Sequence, residues 1–115
     1  MSPFERALEA LTRVPGVQSA LVVSAEDGLV VGEASMGGVD AAAVAALAAS
    51  LFARIGEMAA AAGRQPPAVA HLEASRGGLL IVPAGEGLLL VAVAGPEANV
   101  GLLRLALRSA AERLG

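Results

Sequence analysis

The sequence predicts an α+β fold: a single-domain α/β sandwich whose five-stranded antiparallel sheet carries helices on its faces. Three segments repeat apolar residues at helical spacing, near the start, in the middle and at the end of the chain. Five short apolar runs are joined by glycine-rich turns too short for anything but antiparallel hairpins. The resulting order is α-ββ-α-βββ-α, and 115 residues suit one domain spanning 1-115.

The first helix and the first hairpin have clear local signals. Ser2-Pro3-Phe4-Glu5 is a capping box with proline at the first helical position, and the helix extends to about Arg13. Proline and glycine in Val14-Pro15-Gly16-Val17 end it. Strands at 19–24 and 29–34 follow, joined at Glu26-Asp27-Gly28, where the acidic residues have turn roles.

Similar local signals in the second half of the chain predict a long helix, three strands and a last helix. Asp40 is the expected N-cap of a helix extending to Ala62. Strands are predicted at 69–75, 79–82 and 88–94, and they form a meander. Gly95-Pro96-Glu97 is expected to open the last helix, whose residues Val100, Leu103, Leu107, Ala110 and Leu114 share one face.

The central helix has two apolar faces, which one small sheet cannot cover together. We assign the large-residue stripe to the chain's own sheet; it comprises Val44, Leu47, Leu51, Ile55 and Met58. We assign the neighbouring strip to a second copy of the chain; it comprises Ala45, Ala49, Phe52, Gly56, Ala59 and Ala60. Phe52 is the expected anchor of this interface, in preference to a role in its own core.

The third strand is expected at an edge of the sheet. Its residues alternate polar and apolar more clearly than those of the other strands. An unpaired edge beside a helix with a spare apolar face is a dimerisation surface, because joining two edges satisfies their backbone groups. His71 and Glu73 lie on one face of this strand, so we place both at or near the dimer seam.

Composition excludes several classes of function. There is no cysteine and no lysine among the 115 residues, which removes thiol nucleophiles, cysteine metal sites, the P-loop lysine and the Schiff-base lysine. The net charge of −3, with eight dispersed arginines, disfavours nucleic acid. His71 with Glu73 supplies two ligands, which do not make a metal site. We therefore expect no enzyme, no catalytic residue, no cofactor and no metal.

A membrane-spanning reading of the central helix is disfavoured by its charges. Asp40 and Arg54 bracket a short, alanine-dominated uncharged run, whereas a span needs about 20 predominantly apolar residues. The first residues also lack the basic and apolar regions of a signal peptide. We expect a cytoplasmic protein without membrane insertion.

The ordered set of segments resembles the roadblock / dynein light chain family, including its bacterial MglB-like regulators of Ras-like small GTPases. The similar stretches are Val14-Pro15-Gly16-Val17 before ALVVSAEDGLVV, the alanine-rich helix, LLIVPAGEGLLLVAVAG, and the segment 96–101. The resemblance implies a roadblock-like domain that dimerises through its central helix and third strand into a ten-stranded sheet. It also implies a platform for Ras-like small GTPases, with hydrolysis accelerated by some members and scaffolding in others. MglB-like proteins usually carry sequence beyond the last helix, so functions that depend on such an extension are not transferred.

Two further surfaces each allow two interpretations, as plain solvent-exposed surface or as a contact with a partner. Arg76-Gly77-Gly78 reads as an exposed hairpin turn, or as an arginine finger on a bound GTPase. Leu105 lies between Arg104 and Arg108 on the last helix, as a plain solvated face or as a partner contact. The leading hypothesis is a homodimeric adaptor that binds a Ras-like GTPase and modulates its activity. The alternative is a structural dimerisation scaffold in a signalling or motility complex without a GTPase partner.

Overall fold

The computed structural model describes residues 2–114 of the chain. The end residues of the predicted domain, Met1 and Gly115, lie outside this range. The elements are α1 (Pro3–Thr12), β1 (Val17–Ser24), β2 (Val30–Ser35), α2 (Ala41–Ala61), β3 (Ala70–Ala74), β4 (Gly77–Ala84), β5 (Leu88–Ala94) and α3 (Val100–Leu114). Their order confirms the predicted α-ββ-α-βββ-α succession.

All five strands form one antiparallel sheet in the order β2-β1-β5-β4-β3. The central pair, β1 and β5, joins the two halves of the chain in one sheet. The third strand is at an edge, as predicted from its alternating pattern. The second edge is β2, which the sequence did not single out.

The helices cover the two faces of the sheet unequally. Helices α1 and α3 pack together on one face, where Leu11, Leu103 and Leu107 are fully buried with Val22 and Leu90 from the central strands. The other face carries α2 alone, against a smaller core formed by Leu21, Val23, Ala45, Ala48, Ala49, Ile81, Leu89 and Val91. One helix cannot cover five strands, so part of this second face stays open.

Side-chain caps fix where the helices begin. The Ser2 hydroxyl accepts a hydrogen bond from the Glu5 amide at 3.1 Å, and the Asp40 carboxylate accepts one from the Ala43 amide at 3.1 Å, as both predicted caps require. The predicted start of α3 at Gly95-Pro96-Glu97 is wrong. Instead, the Asn99 side chain accepts from the Leu102 amide at 3.0 Å and the helix begins at Val100.

Strand β4 begins at Gly77, two residues before its predicted start, because glycine has a structural role there. Gly77 has φ +130°, and a Cβ on it would lie 2.1 Å from the carbonyl oxygen of Ala94. Only a residue without a side chain fits this approach between the start of β4 and the end of β5.

Replacing Gly77 by alanine is expected to destabilise the fold by about 3 kcal/mol, the sum of an unfavourable φ and a clash with backbone that cannot move aside. The matched control is Gly87→Ala, because Gly87 has φ +75° and nothing within 4 Å of an added Cβ. Urea unfolding of both variants separates the cost of the unfavourable φ, which both share, from the cost of the clash, which Gly77→Ala alone has. Equal losses in the free energy of unfolding would contradict the clash.

Candidate functional site

Helix α2 packs on the sheet through its small residues. Ala45 is 0% exposed and Ala49 is buried with it, while Phe52 is half-buried against the same core. The β1–β2 turn also approaches α2 closely, since a Cβ on Gly28 would lie 3.0 Å from the Cα of Ala46. Alanines allow this short distance between helix and sheet, because larger side chains would hold the helix away.

The predicted assignment of the two faces of α2 is wrong for most of its residues. The prediction places the large-residue stripe on the chain's own sheet, and Val44 does pack against that core, but Leu47 is 70% exposed and Met58 is 66% exposed. The small strip was assigned to a second copy, yet Ala45 and Ala49 are already covered by their own sheet. The physical reason is close packing, which favours alanine where helix and sheet meet and leaves the leucines outside.

Exposed large residues of α2 and of β3 leave apolar side chains open to solvent. We call this the α2–β3 apolar surface; its exposed members are Leu47, Leu51, Met58 and Leu72, the last of which is 55% exposed. A groove of about 210 Å³ runs between the helix and the strand; its lining residues are Leu51, Ile55, Ala70, His71, Leu72, Leu79 and Ile81. Clustered exposed apolar side chains of this kind mark interaction sites in proteins.

The opposite face of β3 is polar and also lacks a covering helix. His71 pairs in register with Leu80, and Glu73 pairs with Gly78, so both side chains lie on the side of the sheet that carries α1 and α3. Both are exposed beside a cleft of about 280 Å³. Within residues 2–114, neither side chain makes a hydrogen bond or an ion pair.

The remaining predicted site residues are on the surface or half-buried. Gly56 and Ala59 are half-buried on α2, and their interface role stays a prediction. Arg76 is exposed in the two-residue turn between β3 and β4. Arg104, Leu105 and Arg108 are exposed together on α3, with Leu102 as an exposed neighbour that the sequence did not indicate. In the described part of the chain, no hydrogen bond or ion pair links Arg76 to this group on α3. Their role as a partner surface also stays a prediction.

The polar groups buried in the described structure have structural partners. Ser19 is the buried polar residue of β1, and its hydroxyl lies 2.8 Å from that of Ser35, which donates to the Glu33 carboxylate. Across residues 2–114, every buried side-chain nitrogen or oxygen has a hydrogen-bond partner, and no three metal-ligating side chains of one chain lie together.

By length and composition alone, α2 is apolar enough to cross a membrane, with a mean hydropathy of 1.5 over its most apolar window. The charge argument from the sequence does not remove this property. Mostly buried core helices of water-soluble proteins share it, whereas 17% of this window is buried; α2 packs on the sheet through Ala45, Ala48 and Ala49.

Known proteins share this fold along nearly the whole chain. A family model of the Roadblock/LC7 domain matches residues 3–94. An uncharacterized protein of Methanocaldococcus jannaschii is 34% identical over 111 residues, which cover 96% of each chain. Two solved structures are similar over most of their length. MglB in a tetrameric arrangement has a TM-score of 0.87 and 30% identity, covering 99% of this chain and 88% of its own. The gliding protein MglB of Thermus thermophilus has a TM-score of 0.86 and 28% identity, covering 99% and 89%.

Proposed function

Because the chain belongs to the Roadblock/LC7 family, we propose that it is a non-enzymatic, homodimeric adaptor that binds a Ras-like small GTPase and modulates its GTP hydrolysis. The observation that carries this proposal is the α2–β3 apolar surface, which combines exposed leucines with an unpaired strand edge. A second copy covers both at once: its α2 packs on α2, and its β3 extends the sheet to ten strands.

A protein partner suits this surface better than a lipid bilayer. Leu72 belongs to β3, whose outer backbone amides and carbonyls have no neighbour in the sheet. Open sheet edges are not found in the hydrocarbon region, because nothing there satisfies their hydrogen bonds. Pairing of β3 with a second copy satisfies these backbone amides and carbonyls, and it buries Leu72 at the same time. We accordingly place the protein in the cytoplasm, without membrane insertion.

The GTPase partner is proposed from the family resemblance, and the absence of an enzymatic role from the chemistry of the chain. With neither cysteine nor lysine in the sequence and its one histidine exposed on an edge strand, the chain offers few groups for covalent or acid–base catalysis. Binding a GTPase requires only a shaped surface. The alternative is a dimerisation scaffold in a signalling or motility complex without a GTPase partner.

The test is binding to a Ras-like small GTPase from the same genome, loaded with GDP or with a non-hydrolysable GTP analogue. We expect the homodimer to bind one nucleotide state about tenfold more tightly than the other, because regulators distinguish the switch conformations that the γ-phosphate orders. Isothermal titration calorimetry measures both affinities, and single-turnover GTP hydrolysis shows whether binding changes the rate. Failure of either nucleotide state to bind favours the scaffold alternative.

The same assay locates the partner surface. If the exposed group on α3 contacts the GTPase, Leu105→Glu with Arg108→Ala lowers the affinity at least tenfold without changing the dimer. Arg76→Ala tests the β3–β4 turn separately: loss of rate stimulation with retained binding supports an arginine finger. Unchanged binding and rate in both variants would place the partner on another face.

A further inference from the structure

Strand β2 is the second open edge of the sheet, at the end away from β3. The Met36 amide donates to the Gln18 carbonyl at 3.0 Å, so the backbone of Met36 is directed toward β1. Backbone groups alternate in direction along an antiparallel strand, so Glu33 and Ser35 direct their amides and carbonyls away from the sheet. The outer edge of β2 therefore presents hydrogen-bonding groups that no strand within residues 2–114 pairs.

Exposed apolar side chains accompany this outer edge. Leu29 precedes β2 and is 64% exposed, Val31 within it is 45% exposed, and Met36 after it is 75% exposed. The register of β2 against β1 shifts at Val31, so the regular part of the outer edge comprises residues 32–35. An unpaired edge of this kind accepts an additional strand by backbone hydrogen bonding, as in peptide recognition by strand addition.

The outer edge of β2 lies in an acidic part of the protein. The sequence has no lysine, and it has no arginine between Arg13 and Arg54. The same stretch contains four acidic residues, in the β1–β2 turn, in β2 and at the α2 cap: Glu26, Asp27, Glu33 and Asp40. On the adjacent helix α1, Arg6 and Arg13 line a groove that they share with Arg113 of α3. Arg13 also pairs with Glu9. These cations are directed toward α3, so the electrostatic potential beside β2 is negative.

The two faces of the sheet differ beside this outer edge. Glu33 lies opposite Leu21, which belongs to the core beneath α2, so Glu33 is on the α2 face. Gly32 is on the other face, where a Cβ would lie 3.2 Å from Leu8 Cδ1 and 3.8 Å from Phe4 Cβ of α1. Side chains of a strand added beside β2 would therefore face apolar groups of α1 and the Glu33 carboxylate in alternation.

We propose that the outer edge of β2 binds an extended basic segment of a partner protein, in which apolar residues alternate with arginine or lysine. The backbone of this segment pairs with the outward amides and carbonyls of Glu33 and Ser35. Its apolar side chains lie on the face that carries Phe4, and its cations lie on the face that carries Glu33. Backbone pairing supplies affinity, and the alternating side chains supply specificity.

A second copy of the chain suits this edge less well. Pairing two β2 strands brings two acidic stretches together, and neither copy has an arginine between Arg13 and Arg54 to neutralise them. A carboxylate on an open edge opposes pairing of like copies and at the same time selects a basic partner. The inference is independent of the proposed homodimer, because β3 lies at the opposite end of the sheet.

The experiment uses a capped hexapeptide of alternating valine and arginine as the probe, titrated into the full chain at low ionic strength. Titration calorimetry is expected to show one peptide bound per chain. The matched peptide with glutamate in place of arginine is expected to bind at least ~10-fold more weakly, because its carboxylates meet those of β2. Added salt is expected to weaken binding of the arginine peptide.

Substitutions locate the bound peptide. Glu33→Arg is expected to reverse the preference, so that the arginine peptide loses at least ~10-fold in affinity and the glutamate peptide gains. Its control is Glu112→Arg, which changes the net charge equally at an exposed position of α3 and is expected to bind as the natural chain does. Ser35→Pro removes an outward amide and is expected to abolish binding, whereas Ser35→Ala keeps this amide and the binding. Circular dichroism verifies the fold of each variant, and if Ser35→Pro does not fold, the result for Glu33→Arg decides.

The outcomes separate this inference from the proposed function. No binding of the arginine peptide, equal binding of both peptides, or unchanged binding in Glu33→Arg overturns the inference. Loss of a homodimer in Ser35→Pro but not in Ser35→Ala also overturns it, because a second copy then occupies the edge. The peptide titration involves neither a GTPase nor β3, so its failure leaves the proposed function intact.

Discussion

Replacing Leu72 by glutamate is expected to convert the proposed homodimer into a folded monomer. Leu72 is 55% exposed in the single chain, so the substitution has little effect on its fold. If β3 pairs antiparallel with β3 of a second copy so that Leu72 lies opposite itself, the two new carboxylates would face each other without a cation. Removing charge from water without a partner costs about 3 kcal/mol or more, which raises the dimer dissociation constant at least ~100-fold. Sedimentation equilibrium measures the constant, and circular dichroism verifies the fold.

The matched control is Leu105→Glu on α3, since Leu105 is 66% exposed on the opposite side of the sheet. This variant is expected to dimerise as the natural chain does. Leu47→Glu tests the helical part of the α2–β3 apolar surface in the same way and is expected to weaken the dimer. If Leu105→Glu dissociates the dimer while Leu72→Glu leaves it intact, the interface lies on the α1 and α3 side.

Ala45→Leu is expected to reduce the free energy of unfolding by about 1 to 3 kcal/mol, because extra methyl groups have no space between helix and sheet. Ala45 is 0% exposed, and the contact between Gly28 and Ala46 restrains the helix nearby. Urea unfolding in the Leu72→Glu background measures this loss without a contribution from dimerisation. With Leu72 unchanged, an Ala45→Leu chain that keeps its stability but does not dimerise would support the small-residue strip as the interface.

The control for this substitution is Ala53→Leu in the same background. Ala53 is exposed on the outer side of α2, so its replacement by leucine is expected to change the free energy of unfolding by about 0.5 kcal/mol or less. Helix propensity is nearly equal for the two residues and cannot account for a difference between the two sites. A similar loss at both positions would contradict the packing of α2 described above.

Local sequence signals predicted caps and turns correctly, because in these features a residue binds its near neighbours in the chain. Asp40 caps α2 through a carboxylate three residues from the amide that it binds, and Asp27 accepts a hydrogen bond from the Ser24 hydroxyl in the predicted turn. The alternation in the third strand also gave its edge position, although Leu72 is exposed there together with the polar His71 and Glu73. These features need only short-range geometry.

The faces of α2 could not be assigned from the sequence, because both are apolar and the choice depends on distance to the sheet. The pattern shows that Leu47 and Ala45 lie on different sides of the helix, but not which side the sheet accepts. A signal was present in the Glu26-Asp27-Gly28 turn: a glycine there permits close approach, which alanines on the facing helix would complement. For α3, the Asn99 cap was overlooked because Pro96 also suits a helix start.

The central claim is that two copies meet through β3 at Leu72, and a single cysteine tests it directly. The natural chain has no cysteine, so Leu72→Cys introduces the only thiol. Side chains opposite each other across a strand pair are close enough for a disulfide. Mild oxidation in EDTA followed by a non-reducing gel is expected to show a covalent dimer for Leu72→Cys and a monomer for Leu105→Cys. A covalent dimer for Leu105→Cys with none for Leu72→Cys would contradict the account.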